Sequence, residues 1–196
     1  SIGAAANSYA IYDVDGDSRD ELLLSFPSTT YVWEYRDSVL YEELGAFTDG
    51  LIFYDNGAVH EDWSHSQGFA GENFWPYFLY AYNGETDLYD CIGDVDAWDI
   101  NCYADGFPAD IDQDGDGMVY YLLRNGEDRY TGDYDEYGHP IKKPPVDGPE
   151  YEAWRDGVLH DAQPMDIPWQ ALSRGHIAAL GFPEPEMPDL TKIFKG

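Results

Sequence analysis

The stretch DVDGDSRDELLL (residues 13–24) combines a dense acidic segment with a run of three leucines. Five of its first nine residues are acidic, and Leu22, Leu23 and Leu24 follow at once. Like charges this close repel one another, so such a loop favours a bound cation. The leucines predict a buried strand that begins where the loop ends. This segment therefore predicts a cation-binding loop that leads into a sheet.

A second stretch, DIDQDGDGMVYYLL (residues 110–123), repeats the same arrangement. A shift of 99 residues places Asp13, Asp15, Gly16 and Asp17 on acids and a glycine of the second stretch. Leu23 and Leu24 likewise fall on leucines. The repeat covers only the loop and the strand after it, which predicts a local unit used twice rather than a duplicated domain.

Alternating acids in a tight loop bring several oxygens around one point. Ca²⁺ takes six to eight oxygen ligands and tolerates irregular geometry, whereas Mg²⁺ requires a stricter octahedron. Gly16 allows the chain to turn without a side-chain clash. The predicted ligands of the first loop are the carboxylates of Asp13, Asp15, Asp17 and Glu21 and the backbone carbonyl of Arg19.

The first loop is not an EF-hand, because Ser18 and Leu24 stand where that motif has its glycine and its bidentate glutamate. The pattern D-x-D-G-D-x-x-x-[DE], followed by an apolar run, instead resembles the calcium loops of FG-GAP repeats in integrin α-chains and bacterial surface proteins. Ser18 departs from the glycine that is usual there. The resemblance covers residues 9–24 and 108–123 only, and it implies that each loop joins two strands of a propeller blade.

The second loop allows two registers. In one, Asp112, Asp114 and Asp116 are ligands with the backbone carbonyl of Met118, and Tyr120 replaces the final acid. In the other, Asp110, Asp112 and Asp114 are ligands and Gly115 makes the bend. One or two Ca²⁺ ions are therefore expected per chain, with the metal holding the following strand in place. The alternative is a pair of Asx turns whose carboxylates are merely solvated.

Composition narrows the classes of partner. The 196 residues carry 39 acidic and 10 basic side chains, a net charge of −29, and 43% are hydrophobic. So acidic a chain is a poor ligand for nucleic acids, and no stretch is apolar enough to span a bilayer. Part of the acidity is attributable to solubility alone. The resemblance implies an extracellular or cell-surface domain, whose signal or anchor would lie outside this segment.

The first half of the chain predicts antiparallel hairpins. β-Branched and aromatic runs flank the acidic loop, and Asn56-Gly57 and Asn83-Gly84 are hairpin-turn signals. The expected fold is mainly β: an antiparallel meander with blade-like strand–loop–strand units, short C-terminal helices and no complete propeller. The strand segments are 9–13, 21–26, 29–44, 50–63, 77–95 and 118–126.

The C-terminal part has a different character. Residues 130–150 are rich in Gly, Pro and Asp and predict a long loop, whereas 151–159 and 168–180 have helical spacing. We therefore expect a β domain over residues 1–146, and a helical segment with a proline-rich tail over 147–196 that packs on it. Cys91 and Cys102 are compatible with either a disulfide or two buried thiols.

Three functions are compatible with these features. The first is a non-catalytic calcium-binding surface domain in adhesion or ligand binding, with an unknown protein or glycan partner. The second is a carbohydrate-binding module that uses aromatics of residues 63–82, above all Trp63 and Trp75. The third is a secreted hydrolase with His60 and His65, although their spacing of five residues does not fit a helical zinc motif.

Overall fold

The computed structural model describes residues 8–48, 50–62, 68–173 and 179. It is mainly β, with 47% strand and 10% helix, and its antiparallel sheets form neither a closed barrel nor a propeller. The predicted fold class is therefore confirmed. The strand pattern follows the alternation of apolar residues, since β3 (Thr29–Arg36) buries every second side chain over most of its length.

The first sheet has five strands in the order β13-β1-β2-β3-β4. The acidic loop of residues 13–20 joins its neighbouring strands β1 and β2, as predicted. Leu23 is fully buried on this sheet, which confirms the expected role of the leucine run. The strands are β1 (Ser8–Tyr12), β2 (Glu21–Phe26), β3, β4 (Val39–Ala46) and β13 (Gln170–Ala171).

The second sheet has six strands in the order β12-β9-β8-β7-β6-β5. The strand β9 follows the second acidic loop and pairs with β8. Gly57, with φ +77°, closes the predicted hairpin between β5 and β6. The strands are β5 (Leu51–Phe53), β6 (Ala58–Asp62), β7 (Tyr77–Asn83), β8 (Leu88–Asp99), β9 (Met118–Arg124) and β12 (Val146–Asp147).

Two apolar clusters hold the layers together. The first lies between the sheets and includes Leu23 and Val32 from the first sheet and Val59 and Tyr89 from the second. The second lies on the opposite face of the second sheet, where the helix α1 (Gly148–Leu159) packs through Tyr151. The second sheet is therefore the middle layer, and side chains buried between the sheets have little access to water.

Two predictions for the C-terminal part are wrong. Residues 130–150 are not one long loop, because β10 (Tyr130–Tyr134) and β11 (Pro140–Lys142) form a hairpin. The Asp135 carboxylate accepts backbone hydrogen bonds within its turn, at His139 among others, and so stabilises a tight connection. The predicted helix over 168–180 is contradicted at Gln170–Ala171, which form the strand β13 beside β1, whereas residue 179 is helical. Residues 174–178 and 180 lie outside the described ranges.

The C-terminal segment adds an edge strand to each sheet, β12 to the second and β13 to the first. Cys91 and Cys102 are both free and exposed, so neither a disulfide nor two buried thiols is present. No helix among the described residues is long and apolar enough to cross a membrane.

Candidate metal centres

The first acidic loop is held in shape by its own aspartates. Asp13 accepts from the backbone N–H groups of Gly16 at 2.8 Å and Ser18 at 3.1 Å. Asp15 accepts from the N–H of Asp17 at 2.9 Å, and Asp17 accepts from the N–H of Arg19 at 2.7 Å. These bonds direct the carboxylates towards the inside of the turn.

The second loop makes the same four bonds at positions shifted by 99 residues. Asp112 accepts from the N–H groups of Gly115 at 2.9 Å and Gly117 at 3.1 Å. Asp114 accepts from the N–H of Asp116 at 3.1 Å, and Asp116 accepts from that of Met118 at 2.7 Å. The sequence repeat is therefore also a repeat of backbone conformation.

Left-handed backbone positions recur in both loops. Gly16 and Gly115 have φ of +83° and +74°. Ser18 has φ +73°, and its counterpart in the second loop is Gly117 with φ +85°. This conformation is unfavourable for a residue with a Cβ, so the first loop holds a serine in a glycine-type position.

The carboxylates of each loop converge. One oxygen each from Asp13, Asp15 and Asp17 lie within 4.8 Å of one another, and the same holds for Asp112, Asp114 and Asp116. Ligand oxygens 2.3–2.6 Å from a Ca²⁺ ion lie at most about 5 Å apart, so both groups have a spacing that suits such an ion. Asp110 is exposed and is not among these converging acids.

The surroundings of the first loop contain a competing cation. The Arg19 guanidinium forms an ion pair with Asp17, and its Nη1 lies 2.5 Å from Glu34. The backbone carbonyl of Arg19, the predicted ligand at position 7, belongs to the same residue. The side chain thus neutralises one outer ligand, whereas Asp15 and Glu21 form no ion pair with any residue that the structure describes.

Glu21, the predicted ligand at position 9, is the first residue of β2 and is only 1% exposed. Its Oε2 accepts from the Val14 N–H at 2.9 Å, and its Oε1 has no hydrogen-bond partner among the described residues. Burial, with smaller contributions from the negative charges of Asp15 and Glu43, raises the pKa of Glu21 to about 8. Glu21 therefore lies at the inner end of the loop, where charge is poorly compensated.

Asp147 places a further acid beside the second loop, although it is not among the three converging carboxylates. Tyr120, at the position of the missing acid, stacks on Tyr151 at 4.1 Å and so holds the helix. Asp147 accepts from the Gln113 N–H at 3.2 Å and also accepts from Gly148 at the N-terminus of α1. The pKa of Asp116 is raised mainly by burial, then by the charges of the other two loop aspartates, and also by the charge of Asp147. Its distance along the chain explains why sequence reasoning missed it.

Glu43 and Asp87 are two further acids that sequence reasoning missed. One oxygen each from Asp15, Glu43 and Asp87 lie within 4.8 Å of one another. Glu43 is buried because the pairing of β3 and β4 shifts register between Val32 and Trp33, which disrupts the alternation of inward and outward side chains. No alternating pattern in the sequence distinguishes Glu43 from exposed acids.

The other candidate residues are not assembled into a site by the described residues. The Nε2 of His60 lies 2.9 Å from Asp62, and its ring stacks on Tyr77 at 4.3 Å. Trp75 is 41% exposed. Trp63 and His65 lie outside the described residues. The hydrolase with His60 and His65 and the carbohydrate-binding module with Trp63 and Trp75 therefore remain predictions.

No protein-family model, curated protein or solved structure matches this chain. The comparisons therefore leave the FG-GAP resemblance untested. Functional inference depends on the chemistry of the two acidic loops and the side chains around them.

Proposed function

We propose that the chain is a non-catalytic calcium-binding β domain of a secreted or cell-surface bacterial protein, acting in adhesion or ligand binding. The observation that carries this proposal is the conformational repeat of the two loops, each with three converging carboxylates. Twice the chain concentrates aspartates and turns their oxygens towards one point. A divalent cation offsets the repulsion that this arrangement creates.

Calcium fits the loops better than magnesium. Each loop offers a compact, irregular set of carboxylate oxygens, which Ca²⁺ accommodates, whereas Mg²⁺ retains water and requires near-octahedral ligands. Three acids on a partly exposed loop suit the weak range of calcium affinity, about 10⁻⁴–10⁻³ M, that is typical of extracellular modules.

Thermal unfolding of chelated protein tests the proposal. Protein freed of metal with EDTA should gain melting temperature on addition of Ca²⁺, since a ligand that binds only the folded state stabilises it by mass action. Mg²⁺ at the same concentration should give a smaller gain, and NaCl at matched ionic strength controls for screening. An unchanged melting temperature with both divalent ions would contradict the proposal.

A surface of exposed aromatic rings favours a second candidate function, glycan binding. Phe69 stacks on Tyr103 at 5.2 Å and lies 5.0 Å from the Trp98 ring. Phe69 also lines a cleft of about 100 Å³ together with Asp94 and Arg129. Aromatic faces beside polar side chains are a common way to hold a sugar ring.

A glycan array tests this second candidate. Binding that falls at least tenfold in Phe69→Ala, but not in Tyr137→Ala, would support a carbohydrate-binding role. Tyr137 is a matched control because its ring is 77% exposed and belongs to the β10–β11 hairpin turn. An array without any bound glycan would argue against this role and leave the calcium proposal unaffected.

A further inference from the structure

A third group of acids lies between the two sheets. It combines Asp15 from the first loop, Glu43 from β4 and Asp87 from the turn between β7 and β8. Glu43 is only 5% exposed, and Asp15 also belongs to the loop group. These three elements are far apart in sequence and meet only where the sheets pack together.

Two arginines neutralise one side of this region. Arg36 forms ion pairs with Asp87 and, at 3.1 Å, with Glu34. Arg19 pairs with Asp17 and with the same Glu34. These guanidinium groups compensate the charges of Asp17 and Glu34 within the protein, and Arg36 compensates part of the charge of Asp87.

The acids on the other side, Asp15, Glu21 and Glu43, form no ion pair among the described residues, and one oxygen of each also has no hydrogen bond there. Asp15 Oδ2, Glu21 Oε1 and Glu43 Oε2 are buried atoms without a hydrogen-bond partner in the described ranges. A buried, ionised carboxylate oxygen without a partner is strongly unfavourable. Such a group must therefore bind protons or a cation in the folded state.

Tyr89 provides an independent observation that points to a ligand. It is 8% exposed within the core between the sheets, and its hydroxyl has no partner among the described residues. The charges that act on this hydroxyl most strongly are those of Asp15, Glu43 and Glu21. A buried hydroxyl normally makes a hydrogen bond, so an unpartnered one beside carboxylates indicates a place where a ligand can bind.

We propose that a third Ca²⁺ ion binds between the sheets to Asp15, Glu43 and Asp87, beside the Tyr89 hydroxyl, and that Asp87 shares its charge between this ion and Arg36. The spacing of the three oxygens, within 4.8 Å, is compatible with a common calcium ligand shell. Asp15 then bridges the inner ion and the ion of the first loop. The choice of calcium rests on the proposed function, whereas the existence of the site rests on the buried acids.

This inner ion would give calcium a structural role that the outer loops cannot provide. Glu43 belongs to the first sheet, and Asp87 belongs to the turn that joins β7 and β8 of the second sheet. An ion held by both ties the sheets together across their core. Calcium removal would then weaken the contact between the sheets, beyond loosening two exposed loops.

Native mass spectrometry of the full chain tests this inference. Protein freed of metal and titrated with Ca²⁺ should bind three ions, Glu43→Gln should bind two, and Glu42→Gln should bind three. Glu42 is the matched control, since it precedes Glu43 on β4 but is exposed. Two ions on both the wild type and Glu43→Gln would overturn the inner site and leave the loop sites standing.

The remaining outcomes separate the two proposals. A single ion that Glu43→Gln abolishes would support the inner site and refute the loop sites, and no bound ion would refute both. Should Glu43→Gln not fold, Tyr89→Phe keeps the ring and removes only the hydroxyl. Calorimetric titration should then show one class of sites weakened about tenfold, and an isotherm identical to wild type would overturn the inference.

Discussion

The two acidic loops share a backbone and differ in what lies behind them. Both make the same four side-chain-to-backbone hydrogen bonds from aspartates at matching positions. Behind the first loop lie Glu21 and Glu43, buried between the sheets. Asp147 lies beside the second loop and caps the N-terminus of the helix α1. The same local conformation thus forms a partly buried candidate site in one place and a candidate site at the surface in the other.

This difference shows that the loop motif and the completed site are separate properties. The aspartates and glycines of the motif determine the turn through bonds spanning at most five residues. Acids from other parts of the chain add charge to each loop. Near the first loop they are Glu43 from β4 and Asp87 from the β7–β8 turn, and near the second loop it is Asp147 from β12. Calcium should therefore have a larger effect on the first loop, where charge is buried.

The largest expected effect is a contrast between Asp15→Asn and Asp114→Asn. With Ca²⁺ at a hundredfold its dissociation constant, loss of one ion costs about 2.7 kcal/mol. Asp15→Asn, which affects both the loop ion and the proposed inner ion, should cost about 5 kcal/mol, and Asp114→Asn about half of that. Urea denaturation in Ca²⁺ and in EDTA measures both values. Equal losses for the two variants would contradict the proposed asymmetry.

The pH dependence of the metal-free protein distinguishes the same two regions. Burial raises the pKa of Glu21 and of Glu43 to about 8, with further contributions from nearby acids, mainly Asp15. A raised pKa means that the folded state binds more protons than the unfolded one. The associated stability is therefore complete below the ordinary glutamate pKa and is lost as the pH rises through about 8.

Urea denaturation in chelator at pH 5, 7 and 9 checks this expectation. Stability should fall from pH 5 to pH 9, and Glu21→Gln should flatten the curve. Tyr120, the counterpart of Glu21 in the second loop, supplies no comparable carboxylate. If the free energy of unfolding rises from pH 5 to pH 9 instead, ionisation of Glu21 and Glu43 does not destabilise the folded protein.

Asp147→Asn should weaken calcium binding at the second loop alone. Asparagine is as good an N-cap as aspartate, so the helix should be retained while the charge is lost. We expect about a tenfold weaker affinity, equivalent to about 1.4 kcal/mol. Calorimetry of Glu150→Gln, an exposed acid in the first turn of α1, provides the control. An equal effect of both variants would indicate general electrostatics rather than a specific site.

The smallest expected effect is at Ser18. Relief of its left-handed conformation by Ser18→Gly gains about 1–2 kcal/mol, and the greater freedom of glycine in the unfolded chain opposes this by about 0.4–1 kcal/mol. A net gain of about 0.5 kcal/mol in urea denaturation is expected. Ser25→Gly, within β2, is the control and should lose stability, since glycine weakens a strand. A loss at both positions would contradict the strain at Ser18.

Sequence reasoning succeeded where structure depends on neighbouring residues. The strands around the first loop, the Asn56-Gly57 hairpin and the helix at 151–159 follow from alternation, turn residues and helical spacing. It failed at Gln170–Ala171, where pairing with the free edge of β1 overrides a helical pattern. The hairpin formed by β10 and β11 was missed because its composition is typical of loops.

The same division holds for the candidate metal centres. The sequence alone determined the two aspartate loops, because their hydrogen bonds and positive-φ turns involve residues only a few positions apart. Only the tertiary structure decided that Glu43 and Asp87 meet Asp15 and that Asp147 meets the second loop. These charges come together only when the strands pair and the sheets pack. Residues so far apart in the sequence show no local pattern that predicts such contacts.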